Sequence, residues 1–213
     1  MGVSIASVAA LALSACGSGA RQDAHEAKGK FRVSVPTATF PTTQHISGHT
    51  HLVISVRNEG SKTIPNVAVT ICNVTCASSG PRGSGSGSEA FAADISGQYL
   101  ANSSRPNWVV DSGPGKCAFS CKGGGAGAGV TAYSNTWALG SLKAGKTVMF
   151  KWAVTAVAPG THVIAWQIAA GLNGNARAVL ADGSEPGGEF KVTVQKAPAQ
   201  SYVNNQGRIV ATQ

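Results

Sequence analysis

Between Thr147 and Ile168 apolar residues fall on every second position, and no other stretch limits the possible folds as severely. Val148, Phe150, Trp152 and Val154 share one parity while Lys151 and Thr155 take the other; His162, Ile164, Trp166 and Ile168 then oppose Val163, Ala165, Gln167 and Ala169. A helix turns about 100° per residue and would scatter these sets around its axis, whereas a strand sends successive side chains to opposite faces. β-Branched and aromatic residues dominate, as suits a pleated surface buried on one side. Pro159-Gly160 separates the two runs, so the pair reads as a hairpin.

The preceding residues offer a competing reading. Gly140-Ser141-Leu142-Lys143-Ala144-Gly145-Lys146-Thr147 matches the phosphate-binding pattern G-x-x-x-x-G-K-[ST], and Ala178-Val179-Leu180-Ala181-Asp182 resembles an apolar strand ending in a magnesium-binding aspartate. A phosphate loop needs a helix opening at Thr147, so that backbone N–H groups and the helix dipole converge on the phosphates. The alternation after Thr147 opposes that helix. Lys143-Ala144-Gly145-Lys146 is accordingly expected to be a β-turn, and Asp182-Gly183-Ser184 another.

Val3 to Leu13 is small and apolar, too short to span a bilayer and of the length of a signal-peptide core. It runs into Leu13-Ser14-Ala15-Cys16-Gly17, which resembles the lipobox of bacterial, actinobacterial-type lipoproteins. The resemblance implies cleavage after residue 15, acylation of Cys16, and an extracytoplasmic protein held at the cell membrane. The n-region departs from the pattern, since Met1-Gly2 supplies no Lys or Arg. Gly17 to Lys30 is polar and without periodicity, so residues 16–30 are expected to be anchor and flexible tether.

The formal charge of +8 favours anionic partners such as lipid headgroups or wall polymers. Lys and Arg are scattered singly without aromatic interleaving, which gives nucleic-acid binding no support. Besides Cys16 there are two C-x-x-x-C pairs, Cys72 with Cys76 and Cys117 with Cys121. Outside the cytoplasm an even number implies disulfides, with three connectivities open, and a four-thiolate zinc site is the alternative. Bonds joining the two segments are expected. Closing such a loop of about 45 residues would stabilise by about 3 to 4 kcal/mol in the chain-entropy account.

Further alternation marks Phe31 to Val35, broken by Pro36 into an expected edge strand, then His51 to Arg57, Ile64 to Ile71, Ala176 to Leu180 and Phe190 to Gln195. Val53-Ile54-Ser55-Val56-Arg57-Asn58-Glu59-Gly60-Ser61-Lys62-Thr63-Ile64-Pro65-Asn66-Val67-Ala68-Val69-Thr70 is similar to the "V-x-N-x-G … x-N-V-x-V" core of the conserved-repeat, or CARDB-like, surface domains. Leu139 to Lys146 and Ala158 to Thr161 resemble that family's later "L-G-x-L-x-x-G" and "x-P-G-T" turns. The similarity covers residues 31–71 and 136–195. It implies an immunoglobulin-like surface module with no catalytic residues to carry over.

Residues 72–135 depart from that pattern as a long insertion with glycine and serine tracts at 81–88 and 123–129. Its apolar parts, Ile95 to Leu100 and Trp108 to Val110, are expected to cap one end of the sandwich. The G-x-G-x-x-A matches at 85–90 and 123–128 neither follow a strand nor open a helix, so no dinucleotide site is assigned. His45, His49 and His51 place three imidazoles within seven residues and are the candidate metal ligands. On a strand His49 and His51 share the polar, solvent-facing side. No G-x-S-x-G nucleophile motif occurs.

The sequence therefore predicts an all-β, immunoglobulin-like β-sandwich of seven to nine strands over 31–195, with a polar tail at 196–213. The expected function is non-enzymatic: a monomeric extracytoplasmic module held to the membrane through acylated Cys16, without cofactor, meeting an envelope polymer, a protein or a ligand. A solute- or metal-binding lipoprotein using His45, His49 and His51 is the alternative, and a nucleotide hydrolase through 140–147 the remote one.

Overall fold

Strands form where the alternation places them. The computed structural model describes residues 23, 26–73, 76, 91–93, 106–115, 129, 131, 133, 135–198 and 200–212. They carry β1 (Gly29–Thr39), β2 (Thr43–Ile46), β3 (His49–Asn58), β4 (Ala68–Asn73), β5 (Phe91–Ala93), β6 (Trp108–Ser112) and β7 (Thr136–Ala138). There follow β8 (Thr147–Ala156), β9 (Gly160–Ala169), β10 (Ala176–Val179), β11 (Gly187–Pro198), β12 (Gln200–Val203) and β13 (Ile209–Thr212). One sheet runs β10-β1-β3-β8-β6-β5 and the other β2-β11-β9-β4-β7, while β12 and β13 pair alone. The fold is the expected immunoglobulin-like sandwich, with short edge strands added to the seven to nine foreseen.

The parity read from sequence becomes the inside of the sandwich. Phe150, Trp152 and Val154 of β8 are buried, as are Leu52, Ile54 and Val56 of the neighbouring β3, and Ile164, Trp166 and Ile168 of β9 close the core from the other sheet. Removing a side chain of this size from water stabilises by about 1.5–3 kcal/mol, so truncating Phe150 would cost several kcal/mol once the cavity is counted. Met149 and Lys151, on the opposite parity, face solvent.

Three expectations are corrected. β1 is not an edge strand, because β10 pairs in parallel with Gly29 to Arg32 and covers it. Pro36, which has no N–H to give a ladder, falls where the β1–β3 register shifts between Ser34 and Thr37. Trp108 to Val110 does not cap an end of the sandwich: β6 enters the sheet beside β8, Trp108 is fully buried, and its indole N–H donates to Gln44 Oε1 at 2.7 Å. Beyond Gln195 the chain is not a plain tail, since β12 and β13 form a hairpin around the turn Asn204 to Gly207. The signal segment 1–15 and Cys16 lie outside the described residues, as do Ile95 to Leu100.

The strand directions give the sandwich two ends. At the proximal end lie loops 59–67, 139–146 and 170–175, and here the chain comes in from its N-terminal side. Glu26 Oε2 accepts the Leu172 N–H at 2.7 Å and the Asn173 N–H at 3.2 Å, and Asp23 is buried beside them. The expected tether is thereby shortened, because residues 23 and 26–30 already belong to the folded body. Loops 47–48, 106–107 and 157–160 make the distal end, joined by bonds such as Val157 N–H to Asn107 O at 3.0 Å.

Candidate functional site

The eight residues that match the phosphate pattern do not build a phosphate site. Thr147 opens a strand and not a helix, pairing with Arg57 of β3, so the amides that would cradle a phosphate are committed to a sheet ladder. Lys146 N–H bonds Lys143 O at 3.1 Å and closes the predicted turn, with Gly145 at a φ of 69° that favours glycine. Asp182 lies in a second turn. Ser184 donates to its Oδ1 through the hydroxyl at 2.6 Å and the amide at 2.9 Å. These two bonds, hydroxyl first, hold the exposed carboxyl below its ordinary range. The nucleotide-hydrolase reading falls with the missing helix.

The three histidines are dispersed. His45 sits on β2, in the second sheet, with Nδ1 3.2 Å from Ala197 O. His49 and His51 are exposed on β3, in the first sheet. His49 Nδ1 lies 2.8 Å from Thr155 Oγ1 and 3.2 Å from Asp111 Oδ2. Asp111 comes from β6, so the insertion supplies an acidic neighbour that the local sequence lacked. Thr155 Oγ1 also reaches Asp111 directly, at 2.8 Å to Oδ2. A nucleophile relay needs the imidazole between hydroxyl and carboxylate. Here the carboxylate meets the hydroxyl itself on an open sheet face. Among the described residues no group of three or more His, Cys, Asp or Glu could hold a metal ion.

The disulfide expectation is corrected. Cys72 bonds Cys76, within one pair and not across the insertion. Cys72 pairs with Ala165 one residue before the ladder of β4 against β9 ends, and its Cα lies 5.2 Å from that of Cys76, within bonding reach. Cys117 and Cys121 lie outside the described residues.

One open cleft was not foreseen from the sequence. On the flank where β1 faces β9 and β11, a cleft of about 750 Å³ opens between Val33, Val35, Trp166 and Leu180 on its apolar side and Ser34, Arg32, Glu59 and Asp182 at its rim. Glu59 is fixed there: its Oε1 accepts Ser34 Oγ–H at 2.7 Å and lies 3.0 Å from Arg57 Nε, while its carbonyl accepts Arg32 Nη2–H at 3.2 Å. Two glycines shape the wall. A Cβ on Gly188 would come within 2.8 Å of Trp166 Cζ2, so only glycine lets β11 pass under the indole. Apolar walls with a few fixed polar groups suit a small ligand carrying both a ring or alkyl part and hydrogen-bonding groups. The sequence signal was Pro186-Gly187-Gly188, two glycines opening a strand that otherwise alternates.

No family model and no curated protein matches the chain. Among solved structures it is similar to Escherichia coli alpha-2-macroglobulin activated by porcine elastase, at 14% identity and a TM-score of 0.39, over 80% of this chain and 10% of that one. It spans only that tenth of the macroglobulin. It is similar also to the CARDB domain of a Pyrococcus furiosus protein in complex with di-metal ions, at 11% identity and a TM-score of 0.37, over 78% of this chain and 85% of that one. The cupredoxin domain of amoB from Nitrosocaldus yellowstonii gives 10% identity and a TM-score of 0.37, over 80% and 91%. Nothing those proteins bind is carried to this chain. What stands from the structure itself is an all-β sandwich with, among the described residues, the Cys72–Cys76 disulfide.

Proposed function

We propose that the chain is a non-enzymatic, lipid-anchored extracytoplasmic protein: an Ig-like sandwich tied to a membrane through acylated Cys16 and serving envelope interaction, adhesion or ligand binding. The observation that carries this reading is the Cys72–Cys76 disulfide, since such bonds persist in oxidising compartments and are reduced in the cytoplasm. It agrees with the apolar run 3–13 leading into Leu13-Ser14-Ala15-Cys16. The open setting of Thr155, His49 and Asp111 supports the non-catalytic part. The cleft beside Trp166 supports a ligand-binding role.

Fractionating cells that express the full chain tests the anchor. The protein is expected in the membrane fraction, with mass spectrometry finding a diacylated Cys16 as its N-terminus, and Cys16→Ser is expected to prevent that modification. A full-length, unmodified chain in the soluble fraction overturns the reading.

A further inference from the structure

The two ends of the sandwich differ in charge. Lys30, Arg57, Lys62, Lys143, Lys146 and Arg177 are all exposed toward the proximal end. Lys30 and Arg177 are cross-strand neighbours, and like charges so placed repel unless an anion lies between them. Lys62, Lys143 and Lys146 sit on two loops that Asn58 ties together: its Nδ2 donates to Lys62 O and to Leu142 O, both at 2.8 Å. Asn58 O and N–H also bond Gly145 N–H and Lys146 O, both at 2.9 Å. The three ammonium groups therefore stand on one rigid platform.

The acids of this end, Asp23, Glu26, Glu59, Asp182 and Glu185, keep their charge, so the excess of cations rests on loops 59–67 and 139–146, which carry Lys62, Lys143 and Lys146 against one acid, Glu59. Glu26 accepts backbone N–H groups, Asp182 is held by Ser184, Glu185 accepts Gln167 Nε2–H at 2.8 Å, and Asp23 accepts the Tyr133 hydroxyl at 3.3 Å. Of the six cations only Arg57 makes an ion pair among the described residues, with Glu59. At the distal end loops 47–48, 106–107 and 157–160 contain no Lys or Arg, and an exposed cation, Lys196, stands near the end of β11.

The chain also comes in from its N-terminal side at the basic end. Asp23 is seven residues after Cys16, a reach of at most roughly 25 Å when extended. We propose that the proximal end is a docking face for an anionic phospholipid bilayer, seated by Lys62, Lys143 and Lys146 with Lys30 and Arg177 beside them. The inference rests on the anchored reading for its orientation and on the charge distribution for its chemistry. An acyl chain on Cys16 would bring this face within reach of the headgroups, and the face would then lie flat on them, leaving the distal loops and the β12–β13 hairpin pointing away. Attraction of this kind decays over roughly 8 Å at physiological salt, so the face acts only when the sandwich lies against the surface.

The test uses the chain from residue 16 onward with Cys16→Ser, which keeps every described residue and carries no lipid. It is expected to sediment with vesicles of equimolar phosphatidylcholine and phosphatidylglycerol, not with phosphatidylcholine alone, and to be released by high salt. Lys143→Glu with Lys146→Glu is expected to weaken that binding by tenfold or more, at the strength of attraction usual for basic residues near an anionic surface. Lys191→Glu, on the face of β11, should leave it unchanged. Failure to bind the anionic vesicles, binding indifferent to Lys143 and Lys146, or sedimentation only with insoluble wall polymer overturns the inference. Retention of the acylated protein on pure phosphatidylcholine reads the anchor separately, so its loss alone removes the lipoprotein reading and leaves the basic face standing.

Discussion

Asn58 and Leu142, 84 positions apart in the chain, are joined by a 2.8 Å hydrogen bond from the Asn58 side chain to the Leu142 carbonyl, at a site fully closed to water. The same amide donates to Lys62 O, and its Oδ1 accepts the Gly60 N–H at 3.0 Å. One side chain thus fixes the loop leaving β3 to the loop entering β8. Asn58→Ala leaves buried backbone groups without partners and is expected to cost about 2–3 kcal/mol in urea unfolding. Asn58→Asp is expected to cost at least as much near neutral pH, because a carboxylate would face two carbonyl oxygens. An unfolding midpoint unchanged in both variants would refute this account of the junction.

The disulfide gives a prediction about connectivity and one about energy. A proteolytic digest without reductant is expected to yield one peptide holding both Cys72 and Cys76, two hydrogens lighter than its reduced form and not linked to the Cys117 segment. Replacing both by Ala should cost about 2 kcal/mol, because a ring of about five residues restricts the unfolded chain less than a long loop does.

Gly188 tests the packing of the cleft wall. Gly188→Ala would set a methyl group 2.8 Å from the rigid indole of Trp166, whose ring stacks on Phe190 at 6.4 Å and is nine-tenths buried. Overpacking of that kind costs about 1–3 kcal/mol. Chemical unfolding followed by tryptophan fluorescence should show both the lost stability and an altered native emission, and a variant as stable as the parent would mean that the wall yields freely.

Lys146 separates turn from phosphate loop. It makes no ion pair among the described residues, and its backbone bonds survive side-chain truncation, so Lys146→Ala should shift the melting temperature by no more than about a degree. Neither parent nor variant should gain stability from magnesium-ATP, since a ligand held only by the folded state must raise it. A nucleotide-dependent rise in the parent that the variant lacks would restore the abandoned reading.

Period-two alternation at Phe150, Trp152 and Val154, and again at Ile164, Trp166 and Ile168, was enough to name the strands, their buried faces and the hairpin at Pro159-Gly160, because a side chain's face is set by backbone pleating alone. The same local rule rejected the phosphate loop. It could not place Trp108, whose short strand is recognisable only beside β8, nor pair Pro36 with the bulge that accommodates it. It also misjudged Cys72, because the chain path after β4 decides which thiol comes near.

The candidate site was less legible still. Arg32, Glu59, Trp166 and Asp182 come from four separate segments, and nothing local marks them as neighbours. Asp111 reaches His49 only because the insertion returns to the sheet. Sequence by itself thus determined the class of fold, the inward and outward residues and the turns, all governed by contacts between near neighbours. Tertiary structure alone decided which edges pair, which cysteines bond and which charges gather at one end, since those depend on distances between segments that the order of residues does not carry.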